Sequence, residues 1–389
     1  MRQLFCLEGN TALTDQFSLA QVNNYLWRRQ GFDWEHPGPQ DAIFGIYAAS
    51  PTCYLSHLVR DPKFRFESLD EEITQMRSIV RRRAMRYAIF LIPVEHLPSV
   101  YQATKEQALA GEYKIHKLAG LSDDGYIELS AAVENALGDS TMGIRQINLA
   151  LPNKFNEFRD TLQYVVRFMC AEGRLVRAKV KGDWKGNQYE YARTSVWLPD
   201  VNLASITPAQ GRVNLARLYL DSYGPATQED FKWWSGLKTD QVISALAGLE
   251  DELITVIVEG QEYLLLEKHR DVLADTPDDP PDGLHLLPLL DAYLMAYRSR
   301  DRFLPREHYD TIYDKSGNGT YTIFEDGRAC GVWDLIDENN QITLKAAFFD
   351  RQADSRWEIL KDWLDLLMSV TGVKKGRLVQ CPLPLDLKF

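Results

Sequence analysis

Two stretches of this chain repeat one order of structural signals, and that repeat limits the folds that the chain can adopt. The first copy contains Glu134-Asn-Ala-Leu-Gly-Asp-Ser-Thr-Met-Gly-Ile-Arg-Gln-Ile, and the second contains Leu220-Asp-Ser-Tyr-Gly-Pro-Ala-Thr-Gln-Glu-Asp-Phe. Each copy predicts a helix, a glycine turn, a threonine cap and a second helix. A further helix is predicted after each copy, over residues 159–170 and 239–248.

A β-hairpin is predicted at the end of each copy, over residues 174–191 and 253–266, because alternating apolar and polar residues flank a glycine-containing turn. The order helix, turn, helix, helix, hairpin is that of a winged helix. Winged helices read DNA, but they also serve as protein-protein modules, and the order alone leaves both uses open. We expect the second winged helix, with a basic wing, over 125–200 and the third over 210–272.

The chain before the repeat predicts a further region of this kind, over 15–110. Ser18 is a candidate N-cap for a helix in which Leu19, Val22 and Leu26 recur at helical spacing. Residues 69–82 predict a second helix, and the apolar, β-prone run 87–92 predicts a buried strand.

The chain after the repeat predicts a small β-rich domain over 283–389. An acidic, proline-rich segment at 275–283 has the composition of a linker. Strands are predicted over 321–324, 331–336 and 342–349, followed by an amphipathic helix over 356–370. The fold class is therefore α+β.

The charge is distributed unevenly along the 389 residues, whose net charge is −11. Residues 1–200 carry 24 basic and 24 acidic side chains, whereas residues 201–389 carry 20 basic and 31 acidic ones. An anionic partner should therefore meet the N-terminal half, and the acidic C-terminal half is a possible surface for a protein partner.

Several classes of protein are disfavoured by what the sequence lacks. There is no apolar run long enough to span a membrane and no secretory-signal pattern. The five cysteines form no C-x-x-C pair, and no P-loop, G-x-G-x-x-G or paired-histidine motif occurs. We expect a cytoplasmic protein that uses no metal and no cofactor and does not contact a membrane.

Four segments together resemble a known family. They are Leu215 to Leu237, with Gly224-Pro-Ala-Thr and Trp233-Trp234, then His285 to Leu294 followed by Arg300-Asp-Arg, then Asp326-Gly-Arg-Ala-Cys-Gly-Val-Trp, and more loosely Ala84 to Pro93. The sequence resembles the bacterial winged-helix family that includes the AlkZ and YcaQ interstrand-crosslink-repair DNA glycosylases.

This resemblance implies tandem winged-helix (helix-turn-helix plus β-hairpin wing) units followed by a small C-terminal β-barrel-like domain, around a DNA-sized channel. It also implies base excision from damaged double-stranded DNA, and a nucleoid-associated location while the protein is bound to that DNA. A glycosylase must reach its base outside the stack, stabilise a sugar oxocarbenium ion and place a water for attack.

The chain departs from the family at the residues expected to perform this chemistry. A Gln-x-Gln or Gln-x-Asp motif does so in the family, and alignment through Gly45 and Pro51 places its two positions on Tyr47 and Ala49. Alanine has no side-chain acceptor for a water, and tyrosine is a poor base with an ordinary pKa near ~10.

Other residues near this motif are weaker candidates for the catalytic group. A different gap placement would bring Gln40 or Asp41 to the site, and His57 and Glu35 also lie nearby. A lone histidine or glutamate is more often structural or solvated, so these remain alternatives.

Three groups of residues are candidates for DNA contact, because arginine and lysine bind phosphate and an exposed aromatic ring can stack on a base. The groups are the cluster Arg81, Arg82, Arg83 and Arg86, the start of the first copy's second helix with Arg145 and Gln146, and the first wing with Arg177, Lys179, Lys181, Trp184 and Lys185. Arg177, Lys179 and Lys181 are expected on one strand face.

The second copy, over 210–272, predicts a unit that does not contact DNA. Trp233 and Trp234 are expected in its core, and its wing carries Glu259, Glu262 and Glu267, which would repel phosphate. Three hypotheses follow: a glycosylase acting on alkylated or crosslinked DNA, a non-catalytic DNA-binding regulator or damage sensor, and a protein-interaction module.

Overall fold

A computed structural model describes residues 15–34, 43–118, 120–279, 282–350 and 354–383. Within these residues the chain forms a mixed α+β fold with three sheets, none of them closed. No helix in the described ranges is long and apolar enough to cross a membrane.

The helices are distributed along the whole chain, with shorter 3₁₀ turns between some of them. They are α1 (Leu19–Arg29), α2 (Thr52–Leu58), α3 (Phe66–Glu71), α4 (Leu97–Leu118), α5 (Asp123–Leu137), α6 (Ile144–Ala150), α7 (Leu162–Glu172), α8 (Thr194–Trp197), α9 (Pro208–Tyr223), α10 (Gln228–Ser235), α11 (Thr239–Ala247), α12 (Arg270–Ala274), α13 (Tyr309–Ile312) and α14 (Asp354–Thr371).

The strands form three separate sheets. They are β1 (Gln16–Phe17), β2 (Ile79–Arg83), β3 (Ile89–Pro93), β4 (Met142–Gly143), β5 (Leu175–Lys181), β6 (Gln188–Arg193), β7 (Leu253–Val258), β8 (Gln261–Leu266), β9 (Leu284–Leu287), β10 (Thr322–Glu325), β11 (Arg328–Glu338), β12 (Gln341–Phe348) and β13 (Lys375–Gln380). The sheet orders are β3-β2-β5-β6-β4, β1-β7-β8 and β13-β12-β11-β10-β9.

The two copies of the sequence repeat have the same order of elements. The first runs α5, β4, α6, α7, β5, β6, and the second runs α9, α10, α11, β7, β8. In the first copy β4 pairs with β6, and in the second a single bridge between Ala226 and Leu264 takes the corresponding place. Both predicted hairpins are confirmed.

Local caps explain where several helices begin. Ser18 accepts a hydrogen bond from the backbone nitrogen of Gln21 at 2.9 Å, which confirms the predicted N-cap of α1. Thr227 and Asp230 form a capping box at the start of α10, so the threonine of the second copy has the expected role.

The predicted helix over 69–82 is wrong in its second half. Helix α3 ends at Glu71, a π-helical turn follows, and Arg77 adopts a left-handed backbone conformation with φ of 55°. The chain then continues as β2, where β-branched Ile79 and Val80 pair with β3. A long-range sheet therefore overrides local helical periodicity here.

The described part of the acidic segment at 275–283 packs against helix α1 and is not an extended linker. Gln21 Nε2 donates to the carbonyl oxygen of Thr276 at 2.9 Å. Asn24 Nδ2 donates to the carbonyl oxygens of Pro277 at 3.0 Å and Asp279 at 2.9 Å.

Two hydrophobic cores organise the molecule. The smaller core belongs to the first copy and is built on α5, α6 and α7. The larger core joins residues that are distant in sequence, from α1 and α2 through α9 and α10 to the C-terminal sheet. The C-terminal sheet is open among the described strands, with β9 and β13 at its edges, whereas the resemblance predicts a barrel-like arrangement.

Candidate active site

A cavity of about 360 Å³ lies where the first region, the first copy and the C-terminal region meet. Its lining includes Tyr47 and Ala49, to which the sequence alignment assigns the two motif positions, together with Arg86, Tyr189 and Asp314. Two larger cavities, of about 730 and 610 Å³, lie elsewhere. Neither of these two cavities is lined by Tyr47 or Ala49.

Neither motif position supplies a base. Tyr47 is buried, bridges Phe90 across the backbone and packs its ring 4.5 Å from the ring of that residue. Burial raises the pKa of Tyr47 to about 12, although the charges of Arg86 and Arg300 lower it. The phenol is therefore neutral near pH 7, and Ala49 offers only a methyl group.

The turn between β2 and β3 brings Arg86 into this cavity in an unusual backbone conformation. Arg86 and Tyr87 have φ values of 46° and 64°, which residues with a side chain rarely adopt. Tyr87 packs on Gly111 of α4, where an added Cβ would lie 2.2 Å from the tyrosine Cε2. Gly111 thus leaves room for the ring, and strained residues of this kind cluster at functional sites.

Trp233 carries two arginines over its ring. The guanidinium carbon of Arg86 lies 3.9 Å from the ring centroid and that of Arg300 lies 4.8 Å from it. Arg86 Nη2 donates to the carbonyl oxygen of Ser316 at 3.3 Å, and Arg300 Nη2 donates to that of Gly317 at 3.0 Å. Together they hold the turn 314–318 beside the cavity.

Asp314 begins that turn and lines the cavity. Its Oδ1 accepts hydrogen bonds from the backbone nitrogens of Ser316 at 2.8 Å and Asn318 at 2.9 Å, and its Oδ2 accepts one from Asn318 Nδ2 at 2.9 Å. Partial desolvation raises the pKa of Asp314, but these hydrogen bonds outweigh it, so the pKa lies below its usual range. The carboxylate is ionised.

Sequence reasoning did not identify Asp314 as a site residue. The signal was the aspartate followed by Lys-Ser-Gly-Asn-Gly, a composition typical of an Asx-type turn. Nothing in this local pattern indicates that the turn lies next to residues of the first region.

Three of the predicted DNA contacts are buried, and for them the prediction is wrong. Arg81 and Arg177 pair with each other across β2 and β5, two inner strands of their sheet. Arg82 donates to the carbonyl oxygens of Cys170 at 3.1 Å and Ala171 at 3.0 Å, at the end of α7. Exposed fractions of 3%, 7% and 4% for Arg81, Arg82 and Arg177 leave no surface for phosphate.

Arg83 and Arg86 are half-buried and reach the cavity. Arg83 Nε lies 3.0 Å from a carboxylate oxygen of Glu112, which is itself buried and also contacts Arg167 at 3.3 Å. Arg86 Nη1 is buried and has no hydrogen-bond partner among the described residues.

The first wing does not present its basic residues on one face. A β-bulge between Arg177 and Lys179 pairs Arg177 with Tyr191, and Lys179 with Glu190. Because Tyr191 and Glu190 are adjacent on β6, the arginine and the lysine point to opposite faces. Lys179 and Lys181 are exposed, on the face opposite Tyr189, so they do not face the cavity.

Arg145 and Gln146 are exposed at the start of α6. Gln146 Oε1 accepts a hydrogen bond from the backbone nitrogen of Gly143 at 2.9 Å, so this side chain caps its own helix. Lys181 Nζ reaches the same place, 2.9 Å from the position that a Cβ on Gly143 would take. Arg145, Lys179 and Lys181 therefore share one side of the first copy.

The tip of the first wing is anchored on two sides. Trp184 is half-buried with its ring 5.1 Å from that of Phe66, and Lys185 Nζ lies 2.8 Å from a carboxylate oxygen of Asp337. The prediction of a free aromatic tip is therefore wrong, because the tip packs on the first region and the C-terminal sheet.

One of the weaker catalytic candidates, His57, does not line the cavity. His57 Nδ1 donates to the carbonyl oxygen of Cys53 at 2.7 Å, and its ring stacks on Phe64 at 5.0 Å. Burial lowers the pKa of His57 to about 4, so it is neutral. Gln40, Asp41 and Glu35 lie outside the described residues.

The second copy combines a core tryptophan with an acidic hairpin. Trp234 is buried as predicted, whereas Trp233 is half-buried and carries the two arginines. Glu259 accepts a hydrogen bond from the backbone nitrogen of Leu19 at 3.2 Å. Nowhere in the described ranges do three or more histidine, cysteine, aspartate or glutamate residues form a group that could hold a metal ion.

Comparisons with known proteins agree on one family. The model of a family described as "DNA glycosylase AlkZ-like" matches residues 47–367. A Streptomyces sahachiroi protein described as an interstrand DNA cross-link repair glycosylase is 31% identical over 140 residues, which are 35% of this chain and only 37% of that relative.

A solved structure extends the likeness of fold to nearly the whole chain. The structure of Streptomyces sahachiroi DNA glycosylase AlkZ aligns with a TM-score of 0.74 at 20% identity and covers 94% of this chain and 100% of the other. The same overall fold is therefore present in both.

Proposed function

Since the chain belongs to the AlkZ-like DNA glycosylase family, we propose that it binds double-stranded DNA carrying alkylated or crosslinked bases and that the cavity at Tyr47 receives the damaged nucleotide. The observation that carries this proposal is the cavity lining. Arginine, aromatic and carboxylate side chains converge on Tyr47 and Ala49, the two residues that the alignment through Gly45 and Pro51 assigns to the family's motif.

The groups in the cavity match the parts of such a nucleotide. Arg86 Nη1 is a buried donor without a partner among the described residues, and it suits a phosphate oxygen or a base carbonyl. The rings of Tyr47 and Tyr189 suit stacking on a base. Asp314 adds a negative charge, which favours the positively charged ring of an N7-alkylated purine.

We infer that the two repeat copies, at 125–200 and 210–272, are winged-helix units, and that 15–110 is a related first region. The shared order of helices and hairpins supports this inference. Residues 283–389 are then the C-terminal domain. Arg145, Lys179 and Lys181 would contact phosphates on the outer side of the second unit, since they are exposed and lie away from the cavity.

The acidic third unit and the C-terminal half would serve as a scaffold or as a surface for a protein partner, since their excess of carboxylates disfavours DNA. The function requires no metal or cofactor, and a DNA substrate implies action in the cytoplasm, on the nucleoid.

A second candidate function is favoured by one observation. Tyr47 is neutral and Ala49 has no polar group, so the motif positions provide no water-activating side chain. A damage sensor or regulator would bind the lesion without cleaving the glycosidic bond.

One experiment tests both candidates. Duplex DNA containing a single 7-methylguanine is incubated with excess protein, and abasic sites are revealed by alkaline strand cleavage, while fluorescence anisotropy measures binding against an undamaged duplex. Tighter binding to the damaged duplex with abasic sites supports the glycosylase, and such binding without abasic sites supports the sensor. Equal binding to both duplexes contradicts the proposal.

A further inference from the structure

The cavity contains one acidic side chain among the described residues of its lining, and that side chain comes from the C-terminal region. Asp314 is distant in sequence from Tyr47 and Ala49, yet all three residues line the same cavity. The fold therefore places a carboxylate beside two residues that carry neither a carboxylate nor an amide.

The orientation of this carboxylate is fixed by its own turn. Three hydrogen bonds of 2.8 to 2.9 Å, from Ser316 and Asn318, hold it. Two of them go to Oδ1 and one goes to Oδ2. A carboxylate has about four acceptor positions, so Oδ2 retains one for a further hydrogen bond.

The turn 314–318 is held by the two arginines that lie over the Trp233 ring. Arg86 holds the carbonyl of Ser316, and Arg300 holds that of Gly317. Gly317 adopts φ of 78°, and an added Cβ there would lie 3.3 Å from Arg300 Nη2. Such a support is what a group needs to act with defined geometry.

We propose that Asp314 is the catalytic carboxylate of this protein and performs the role that the side chains of Tyr47 and Ala49 cannot perform. This assignment rests on the proposed function, since it requires a nucleotide in the cavity. Asp314 then accepts a hydrogen bond from the attacking water and stabilises the positive charge that develops on the sugar.

The reaction balances without a further reagent. The C1′–N9 bond of the N7-alkylated deoxyguanosine breaks, and its electron pair leaves with the base, which changes from a cation to a neutral molecule. The water oxygen bonds to C1′, and one water proton passes to the Asp314 carboxylate and then to solvent. The products are the free base, an abasic deoxyribose and one proton.

The other groups at the cavity do not fit this role. The guanidinium groups of Arg83 and Arg86 have no atom that can accept a hydrogen bond. The Tyr47 phenol stays protonated, so it is a poor base. Asn318 also lines the cavity and its Oδ1 can accept a hydrogen bond, but its neutral amide opposes a positive charge less than a carboxylate does. An ionised carboxylate is the group that can both accept the hydrogen bond and oppose a positive charge.

Asp314→Asn tests this assignment, because the amide oxygen can keep the two backbone hydrogen bonds while the charge is removed. The matched control is Asp310→Asn, an exposed aspartate of α13 four positions earlier. The probe is the 7-methylguanine duplex under single-turnover conditions, with its Kd measured in parallel. We expect the rate of Asp314→Asn to fall about 100-fold or more, a larger factor than the rise in its Kd for this duplex, and we expect Asp310→Asn to equal the parent protein.

Chemical rescue separates a catalytic role from a structural one. Asp314→Ala removes the carboxylate, and added formate should restore part of the rate, because a small carboxylate can occupy the vacated space. If the parent protein forms abasic sites and Asp314→Asn is equally fast, the assignment is wrong while the proposed function stands. If the parent protein binds the damaged duplex but forms no abasic sites, Asp314 is not catalytic. If the parent protein binds the damaged and undamaged duplexes equally, the proposed function itself is contradicted.

Discussion

Arg86 donates a hydrogen bond from Nη2 to the carbonyl oxygen of Ser316 at 3.3 Å, across 230 positions of the sequence. This contact joins the turn after β2 to the turn that carries Asp314. The two halves of the candidate active site are thus aligned by one side chain, which also lies over Trp233.

Arg86→Gln should lower activity more than it lowers stability. The amide is too short to contact Ser316 and stack on Trp233 together, so the turn 314–318 gains freedom, and a shift of about 1 Å can cost about 100-fold in rate. We expect a decrease of about 10- to 100-fold in single-turnover abasic-site formation. Arg328→Gln, on the exposed side of β11, is the control and should match the parent protein. Equal rates for both variants would contradict the coupling.

Lys179→Ala together with Lys181→Ala should flatten the salt dependence of DNA binding. Each lysine that contacts phosphate releases about one counterion, so the slope of log Kd against log salt should decrease by about 1.8 for the pair. Lys361→Ala, on α14, is the control because Lys361 is engaged with Glu358 at 2.6 Å. An unchanged slope in the double variant would show that this face of the first copy does not contact DNA.

The sequence predicted the elements whose signals are local. The N-cap at Ser18, the hairpins β5–β6 and β7–β8, and the buried Trp234 depend on neighbouring residues or on simple alternation, and the structure confirms them. Tyr47 and Ala49, to which the resemblance assigns the two motif positions, line a cavity.

The errors concern features that depend on distant pairing. The bulge between Arg177 and Lys179 arises from how β5 meets β6, and it reverses the faces that simple alternation predicts. Arg81 is buried because β5 pairs with β2, and a run of arginines does not reveal that pairing. Asp314 was missed because its cavity is assembled by the large core shared between the ends of the chain.

His285→Phe should make the stability less dependent on pH. Burial lowers the pKa of His285 to about 4, and the charge of Arg60 acts in the same direction. Its unfolded pKa is near ~6.5, so the unfolded chain binds the proton more readily. Stability from the neutral ring is fully present above about pH 6.5 and is lost as the pH falls towards 4.

Urea unfolding between pH 4 and 7 measures this effect. The parent protein should lose stability through this window, and His285→Phe should lose less, because phenylalanine does not titrate and fits beside Trp27 and Trp34, whose rings lie 4.9 and 5.1 Å from the imidazole. His57, with a pKa of about 4, leaves a residual dependence in the variant. Parallel curves for the two proteins would show that His285 is not held neutral.

Trp184→Ala should destabilise the fold rather than remove a DNA contact. The ring is half-buried against Phe66, so its loss should decrease the free energy of unfolding by roughly 1–3 kcal/mol, less than the loss of a fully buried tryptophan. Phe66→Ala and the double variant complete a mutant cycle, and an aromatic pair of this kind should couple by about 0.5–1.5 kcal/mol. Trp184→Phe keeps a ring at Phe66 and should bind DNA with the Kd of the parent protein. If Trp184→Ala instead weakens DNA binding about tenfold with no loss of stability, the ring acts on the base stack, and the docked tip seen here opens when DNA binds.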